Sequence, residues 1–406
     1  MPGFEFFGEE ERKEVNEVLQ TGILMRYGFD GPRKGIWKAK EMEEAVCETF
    51  GCKHALLVSS GTAALTAAMK ALGIGYGDEI IIPSFTFVAS FEAVISVGAI
   101  PVLVDVDDTL TLSPDAVRNA ITPKTKCVMP VHMCGSMADM DALVAICKEH
   151  NLILLEDACQ SIGGTYKGKK LGTIGDAGTF SFDFVKMITC GEGGVVMTNR
   201  EDVYIGSDGY SDHGHDHKGG LDRGADQHPF IGYNFRISEL NAAVGVAQIK
   251  KLDNFLEIQR KNNKMLREIL STIPEISFRR VPDEAGDSCS FLSWFLPTEA
   301  ITKAAVAEMK TQGILAGSFY WFVNNWHYIS KWDHLKNSIT LNHLHPEMKA
   351  EIMRHANKDF SASDAIMGRC VSTAISLLWT KEQIQTKGEL MANAIKKVLK
   401  EQEIPA

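Results

Sequence analysis

The chain has 406 residues, with 42 Lys and Arg against 52 Asp and Glu, giving a formal net charge of −10 and a pI of about 5.7. At 45% hydrophobic and 23% charged it is too apolar for disorder, and with 35 Gly and 13 Pro it is too poor in both for a fibrous protein. The acidic balance argues against a dedicated nucleic-acid binder, which needs a basic face, but leaves room for a local cationic pocket that takes a small anion.

Residues 9–20 and 39–50 read as amphipathic helices on either side of a Gly- and Pro-punctuated loop. From residue 54 short apolar runs alternate with helical stretches. The expected pairs are strand 54–58 with helix 62–72, strand 79–82 with helix 86–97, strand 101–106 with helix 113–121, and strand 126–131 with helix 139–149. A fifth strand, 152–157, ends at a carboxylate. These runs are apolar throughout and do not alternate, as in a sheet buried on both faces and built from right-handed βαβ units. Strands 178–182 and 194–198 follow without a full helix between them, and one long helix is expected from after Asn234 to about residue 270. Beyond it the pattern is shorter and mixed, with the apolar run 291–296, a helix at 302–312, an aromatic stretch at 319–332 and a last helix at 380–401. The boundary near residue 255 gives a large domain, 1–255, and a small C-terminal domain, 256–406.

Nine scattered cysteines without a Cys-x-x-Cys fit a reduced, cytoplasmic setting better than a disulfide framework or a zinc site. The N-terminus turns acidic within ten residues, so no signal peptide is expected. No apolar stretch reaches the roughly 18 residues of a membrane span.

Two phosphate motifs fail. Gly163 to Lys169 matches G-x-x-x-x-G-K, but Lys170 follows where Ser or Thr is required, and no helix opens there. Gly73, Gly75 and Gly77 end a helix and lack the dinucleotide spacing, so a nicotinamide oxidoreductase is not supported. Ser59-Ser60-Gly61-Thr62-Ala63 is different, since it follows a strand and opens a helix. It reads either as a phosphate cup at a helix N-terminus or as a plain N-cap. Asp157, at a strand's carboxyl end, is either a ligand-facing carboxylate or the cap of the next turn. Lys186 follows Phe180-Ser181-Phe182 and precedes Gly191-Glu192-Gly193-Gly194; it is either a surface charge or a Schiff-base lysine. His213, His215, His217 and His228 lie in the polar stretch 208–230, which is either a metal-ligand set or a solvated loop. The aromatic stretch 319–332, with His327 in it, is either small-domain core or the wall of a sugar site.

The motifs S-G-T-A-A-L (60–65), P-S-F-T-F-V-A-S (83–90), E-D-A-C-Q-S-I-G-G (156–164), F-S-F-x-x-x-K (180–186), G-E-G-G (191–194) and G-Y-N-F-R-I-S-E-L (232–240) occur in the order seen in one family. On them the sequence resembles the DegT/StrS sugar aminotransferases. The resemblance implies an α/β, fold-type I pyridoxal-phosphate transferase with a mixed, mostly parallel sheet flanked by helices and a smaller α+β C-terminal domain. Its implied cofactor is pyridoxal 5'-phosphate. Lys186 would be the Schiff-base lysine and the acid–base group, and Asp157 the partner of the ring nitrogen. Phe87 would stack on the ring, with Gln160 near the ring hydroxyl. Ser60, Gly61, Thr62, Ala63 and Ser181 would hold the phosphate, and Asn234 would reach it from the partner subunit of a homodimer. No metal is implied.

The substrates implied are a carbonyl sugar and L-glutamate, with no nucleic-acid or membrane partner. Arg26, His213, Arg223 and His327 are the expected substrate contacts. A sugar dehydratase of the same fold would carry His where Lys186 stands. A silent regulatory domain would bring a DNA-binding segment not seen here. Three departures stand out: Asp183 near the lysine, the long segment 22–38, and the polar stretch 208–230. The whole chain is similar to a subgroup that aminates carbon 8 of 3-deoxy-octulosonate for lipopolysaccharide, the alternative being a nucleotide-linked keto sugar.

Overall fold

A computed structural model of the chain describes residues 2–218, 224–340 and 343–402. The apolar runs form a central sheet of β1 (His54–Val58), β2 (Glu79–Pro83), β3 (Ile100–Val104), β4 (Thr125–Val128), β5 (Ile153–Asp157), β6 (Ala177–Ser181) and β7 (Gly194–Thr198). Their spatial order is β1-β7-β6-β5-β4-β2-β3. β7 pairs antiparallel with β1 and β6, and the other neighbours are parallel. Six strands therefore run one way and end at the same edge of the sheet. Ile80 and Ile82 enter one core and Ile81 the other; Leu56 and Leu57 divide in the same way. Burial on both faces is why these runs are apolar at every position.

The single long helix expected after Asn234 is two helices, Glu239–Ile249 and Leu252–Leu270. The first starts only at Glu239 because Ser238 caps it, accepting the Asn241 N–H at 3.2 Å. Between the two, Lys251 N–H bonds three residues back to Gln248 O at 3.0 Å, which interrupts the four-residue ladder. The second helix carries Phe255 and Leu256 into a core of the large sheet, and Leu266 and Leu270 into a third core. That core underlies a four-stranded antiparallel sheet of β8 (Ser277–Phe278), β9 (Phe291–Phe295), β10 (Ser318–Tyr320) and β11 (Cys370–Ala374), ordered β8-β9-β11-β10. Trp321, Tyr328, Trp332 and Ile352 return to the core of the large sheet.

The polar stretch 208–230 begins inside a helix, Glu201–Ser211. Gly206, Ser207, Gly209 and Ser211 are poor helix formers, so packing holds it. A Cβ on Gly206 would lie 3.0 Å from Ala71 Cβ, and the missing side chain lets this helix close on Gly61–Ala71. All the cysteines are free thiols. Among the described residues no helix is long and apolar enough to cross a membrane.

Segment 22–38 is organised by two guanidinium groups, one fully buried and one largely so. Arg33, fully buried, donates to the carbonyls of Met25 and Gly28 and lies 3.6 Å from Glu239. Arg26 donates to Leu57 O at 3.0 Å and to Glu43 Oε1 at 2.8 Å, while the same Glu43 oxygen accepts Leu57 N–H at 2.8 Å. The pair thus ties this segment to both polar groups of one β1 residue. Arg26→Ala should lower unfolding stability by about 3–5 kcal/mol, because it strands Glu43 buried without its cation. Denaturant unfolding checks this, and an unchanged midpoint would contradict it.

Candidate active site

The six shared strand ends open onto a cavity of about 830 Å³. Ser60, Gly61 and Thr62 follow β1, Phe87 follows β2, Asp157 ends β5, and Ser181 ends β6; all of them line it, together with Gln160, Lys186 and His327. Residues far apart in sequence meet here because each hangs from the same edge of one sheet.

At one end lies the N-terminus of helix Gly61–Ala71. Ser60 is extended and caps it: its Oγ accepts Ala63 N–H and its carbonyl accepts Ala64 N–H, both at 3.0 Å. The cap reading of Ser60 therefore holds, and Ala63 has its N–H committed and does not line the cavity, which corrects its expected role in the phosphate cup. Among the described residues nothing accepts from the N–H of Gly61 or Thr62, the two remaining free donors of the helix end. A Cβ on Gly61 would lie 2.8 Å from Ser181 Cβ and 3.2 Å from Cys159 Sγ. Only glycine lets the two walls of this cradle approach so closely.

Alternation along β5 separates two adjacent acids. Glu156 points away from the cavity, fully buried. It accepts the N–H groups of Gly172, Ile174 and Gly175 at 2.8, 2.6 and 2.7 Å and faces His132 Nε2 at 3.1 Å. His132 Nδ1 accepts Ala138 N–H, so its proton sits on Nε2 and goes to Glu156. Asp157 faces the cavity, 4% exposed; Oδ2 accepts from Ser90 Oγ at 2.7 Å and Oδ1 from Cys159 N–H at 3.2 Å. One oxygen thus holds the following turn, as the capping reading has it, and the carboxylate remains on the cavity wall.

Lys186 stands on a turn shaped by Asp183, whose Oδ1 accepts Val185 N–H at 3.1 Å and whose carbonyl accepts Lys186 N–H at 3.0 Å. The unexpected acid is therefore a turn residue. Lys186 O in turn accepts Gly3 N–H at 2.9 Å, and Pro2 and Glu5 also line the cavity. This N-terminal contribution had no signal in the periodicity, since its contacts lie over 180 residues away in sequence. Ser90 and Cys159 were likewise missed as functional residues, although both stand in quoted motifs.

Gln160 Oε1 accepts Cys134 N–H at 3.2 Å, which leaves its amide NH₂ to donate elsewhere. Phe87 stacks on Trp326 with ring centroids 5.7 Å apart, and Phe319, Trp321 and His327 continue this wall. Trp332, fully buried against Phe91, belongs to the core. The stretch 319–332 is thus core and cavity wall together. Burial, and then the charge of Lys186, push His327 down to about pH 3, and its Nδ1 meets Asn324 Oδ1 at 3.0 Å. The ring is neutral at physiological pH, with its proton on Nδ1. Burial and the charge of Asp157 hold the Cys159 thiol well above its ordinary range.

Three expected contacts lie away from the cavity. Arg26 is committed to Glu43 and Leu57, which corrects its expected role as a substrate ligand. His213 and Asn234 are exposed on adjoining segments, joined by His213 N–H to Tyr233 O at 2.9 Å. The partner-subunit role implied for Asn234 stays a proposal. Arg223 lies outside the described residues. His215 and His217 each face carboxylates, Asp226 at 3.6 Å for the first, Asp208 and Asp212 at 3.7 and 3.6 Å for the second.

The family model of the DegT/DnrJ/EryC1/StrS aminotransferases matches residues 6–386. A GDP-perosamine synthase from Caulobacter vibrioides is 41% identical over 229 residues, 54% of this chain and 58% of the relative, so the match spans little more than half of that protein. The crystal structure of 3-amino-5-hydroxybenzoic acid synthase superposes with a TM-score of 0.78 at 29% identity, covering 96% of this chain and 97% of the other. Helicobacter pylori PseC, an aminotransferase of pseudoaminic acid biosynthesis, gives 0.80 at 22% identity over 96% and 97%, a likeness of fold. The fold is that of the fold-type I pyridoxal-phosphate transferases.

The residues fit that cofactor. The glycine cradle with two free N–H groups suits a phosphate, the buried carboxylate suits a protonated ring nitrogen, and the lysine suits an aldehyde. Gly61→Ala should weaken pyridoxal-phosphate binding at least about tenfold by filling the cradle. Titrating the cofactor-free variant and following absorbance measures this, and an unchanged Kd would contradict the phosphate position.

Proposed function

From the chain's membership of the DegT/DnrJ/EryC1/StrS aminotransferase family we propose a pyridoxal-phosphate-dependent enzyme that moves the amino group of L-glutamate to a carbonyl sugar. The observation that carries this reading is the meeting of Lys186, Asp157 and the free helix end at Gly61 and Thr62 on one cavity. Pyridoxal phosphate, once bound, supplies a ring that takes up the electron pair left when a proton departs from the carbon beside its nitrogen. The chain's part is to hold and move protons around that event. Gly61 and Thr62 N–H, with the Thr62 and Ser181 hydroxyls, hold the phosphate. Asp157, held in place by two donors, meets the proton at the ring nitrogen. Lys186 Nζ takes the proton from the α-carbon of the donor and returns a proton on the far side of the shift. Phe87 and Trp326 keep water from one face of the cavity.

For the acceptor we propose the 8-aldehyde of 3-deoxy-octulosonate, in lipopolysaccharide amino-sugar synthesis, by a cytoplasmic homodimer with shared sites. Support comes from the resemblance read in the sequence and from the aromatic wall, which suits the apolar face of a sugar. No arginine lines the cavity among the described residues, so Arg223 is the candidate for the acid end of the sugar. A nucleotide-linked keto sugar is the second reading, favoured by the 41% identity to a GDP-perosamine synthase.

Lys186→Ala should still bind cofactor, lose the absorbance of a lysine-bound form and lose turnover about a thousandfold or more. Near-native turnover would remove the acid–base role. In a competition with glutamate as donor, the 8-aldehyde should be aminated in preference to nucleotide-linked keto sugars. Preference for the nucleotide sugar would overturn the octulosonate assignment and leave the aminotransferase reading intact.

A further inference from the structure

The motif P-S-F-T-F-V-A-S contributes Phe87 to the cavity, and its two later hydroxyls are also built into the site. Ser90 Oγ donates to Asp157 Oδ2 at 2.7 Å, and Thr86 Oγ1 lies 2.7 Å from Ser90 Oγ. Ser90 has one hydroxyl hydrogen, and an ionised carboxylate only accepts. That hydrogen is on the Asp157 contact, so Thr86 must supply the hydrogen of the second. Phe87 O, the other acceptor within reach of Thr86, is farther, at 3.3 Å. The hydrogen bonds therefore run in one direction, Thr86 to Ser90 to Asp157. Both hydroxyls are buried, at 0% and 1% exposure, out of competition with water.

The backbone holds the two hydroxyls in place. Thr86 N–H donates to His327 O and Val88 N–H to Trp326 O, both at 2.9 Å, so the aromatic wall of the cavity clamps the start of helix Val88–Ser96. A serine in a first helical turn ordinarily serves its own backbone. This one turns across to a different strand and meets a buried acid.

We propose that Ser90, backed by Thr86, is a positioning residue that holds the Asp157 carboxylate in the orientation that would meet the ring nitrogen of the cofactor. The proposal rests on the pyridoxal-phosphate reading above. The buried carboxylate takes Ser90 Oγ on Oδ2 and Cys159 N–H on Oδ1, with the Cys159 thiol also against it, so Ser90 is the hydroxyl that fixes Oδ2. The Cys159 thiol, neutral, interacts with both Asp157 and Lys186, and Lys186 and the neutral His327 share the cavity with them. Removing the Ser90 donor frees Oδ2 from its partner, so the carboxylate no longer holds the ring-nitrogen proton in place. The ring then withdraws fewer electrons, and the shift catalysed at Lys186 slows.

The test uses full-length protein loaded with pyridoxal phosphate, comparing Ser90→Ala, Ser90→Thr, Thr86→Val and Asp157→Asn. Three quantities are read: kcat and KM for the glutamate half-reaction, the pH midpoint of the cofactor absorbance, and melting of the cofactor-free protein. Ser90→Ala should lower kcat about ten- to a hundredfold with KM little changed. It should raise the absorbance midpoint by about one pH unit, since a ring without its proton leaves the lysine-linked nitrogen more basic. Ser90→Thr should restore both, and Thr86→Val should give a smaller change in the same direction. Wild-type midpoint and kcat in Ser90→Ala, with Asp157→Asn crippled, overturn the proposal alone. Lost kcat with an unmoved midpoint, or lower melting that Ser90→Thr does not rescue, marks a packing role and overturns it too. A silent Asp157→Asn removes the ring-nitrogen reading, and the proposal falls with it.

Discussion

Six strands that run the same way leave six chain ends at one edge of a sheet, and the candidate site follows from that constraint. Each βα connection delivers its first residues to the same rim: Ser60 to Thr62 after β1, Phe87 after β2, Asp157 at the tip of β5, Ser181 at the tip of β6. β7, the one strand running the other way, brings the chain back so that β1 can join the sheet beyond β6. Gly194 makes that junction close, since a Cβ there would lie 2.3 Å from Ser60 O. The helix end that would hold a phosphate is thereby pressed against the start of β7, just after the turn that carries Lys186.

The rim must also keep charge in a buried place. Among the described residues its lining acids, Glu5, Asp157, Asp183 and Glu192, share the cavity with one cationic side chain, Lys186, since His327 is neutral. Three of the acids have identifiable partners. Glu5 accepts from Ser376 Oγ and Leu377 N–H, which ties the N-terminal turn to the end of β11; Asp183 holds its own turn; Asp157 takes Ser90 and Cys159 N–H. A phosphate here would be held by backbone N–H groups and hydroxyls, the neutral donors of a helix end.

Much of the fold was legible because burial on two faces leaves a plain mark. β1 and β7 fall at 54–58 and 194–198 as read from their apolar runs, and the other central strands lie within a few residues of expectation. Helix Glu201–Ser211 was not legible, because its glycines and serines are chosen for contact with Ala71 and not for helix formation. The break at Lys251 was hidden too, since a one-turn change of hydrogen bonding leaves the apolar period intact. In the site, chemistry-bearing residues next to strand ends could be found from sequence. What each of them touches could not. Sequence shows Arg26 as an arginine before the S-G-T turn, and only the fold shows its guanidinium closed on Glu43. Glu156 and Asp157 read alike, and strand alternation sends one to a structural cage and the other to the cavity. Ser90 looks like any small residue in a helix until its hydroxyl is seen beside a carboxylate from another strand.

The central claim is that Lys186, which lines the same cavity as Asp157, is the residue that bonds the cofactor. Borohydride reduction of the protein loaded with pyridoxal phosphate, followed by peptide mapping, tests it most directly. The account predicts one pyridoxyl group per chain, on Lys186. A label on another lysine, or none, would contradict it.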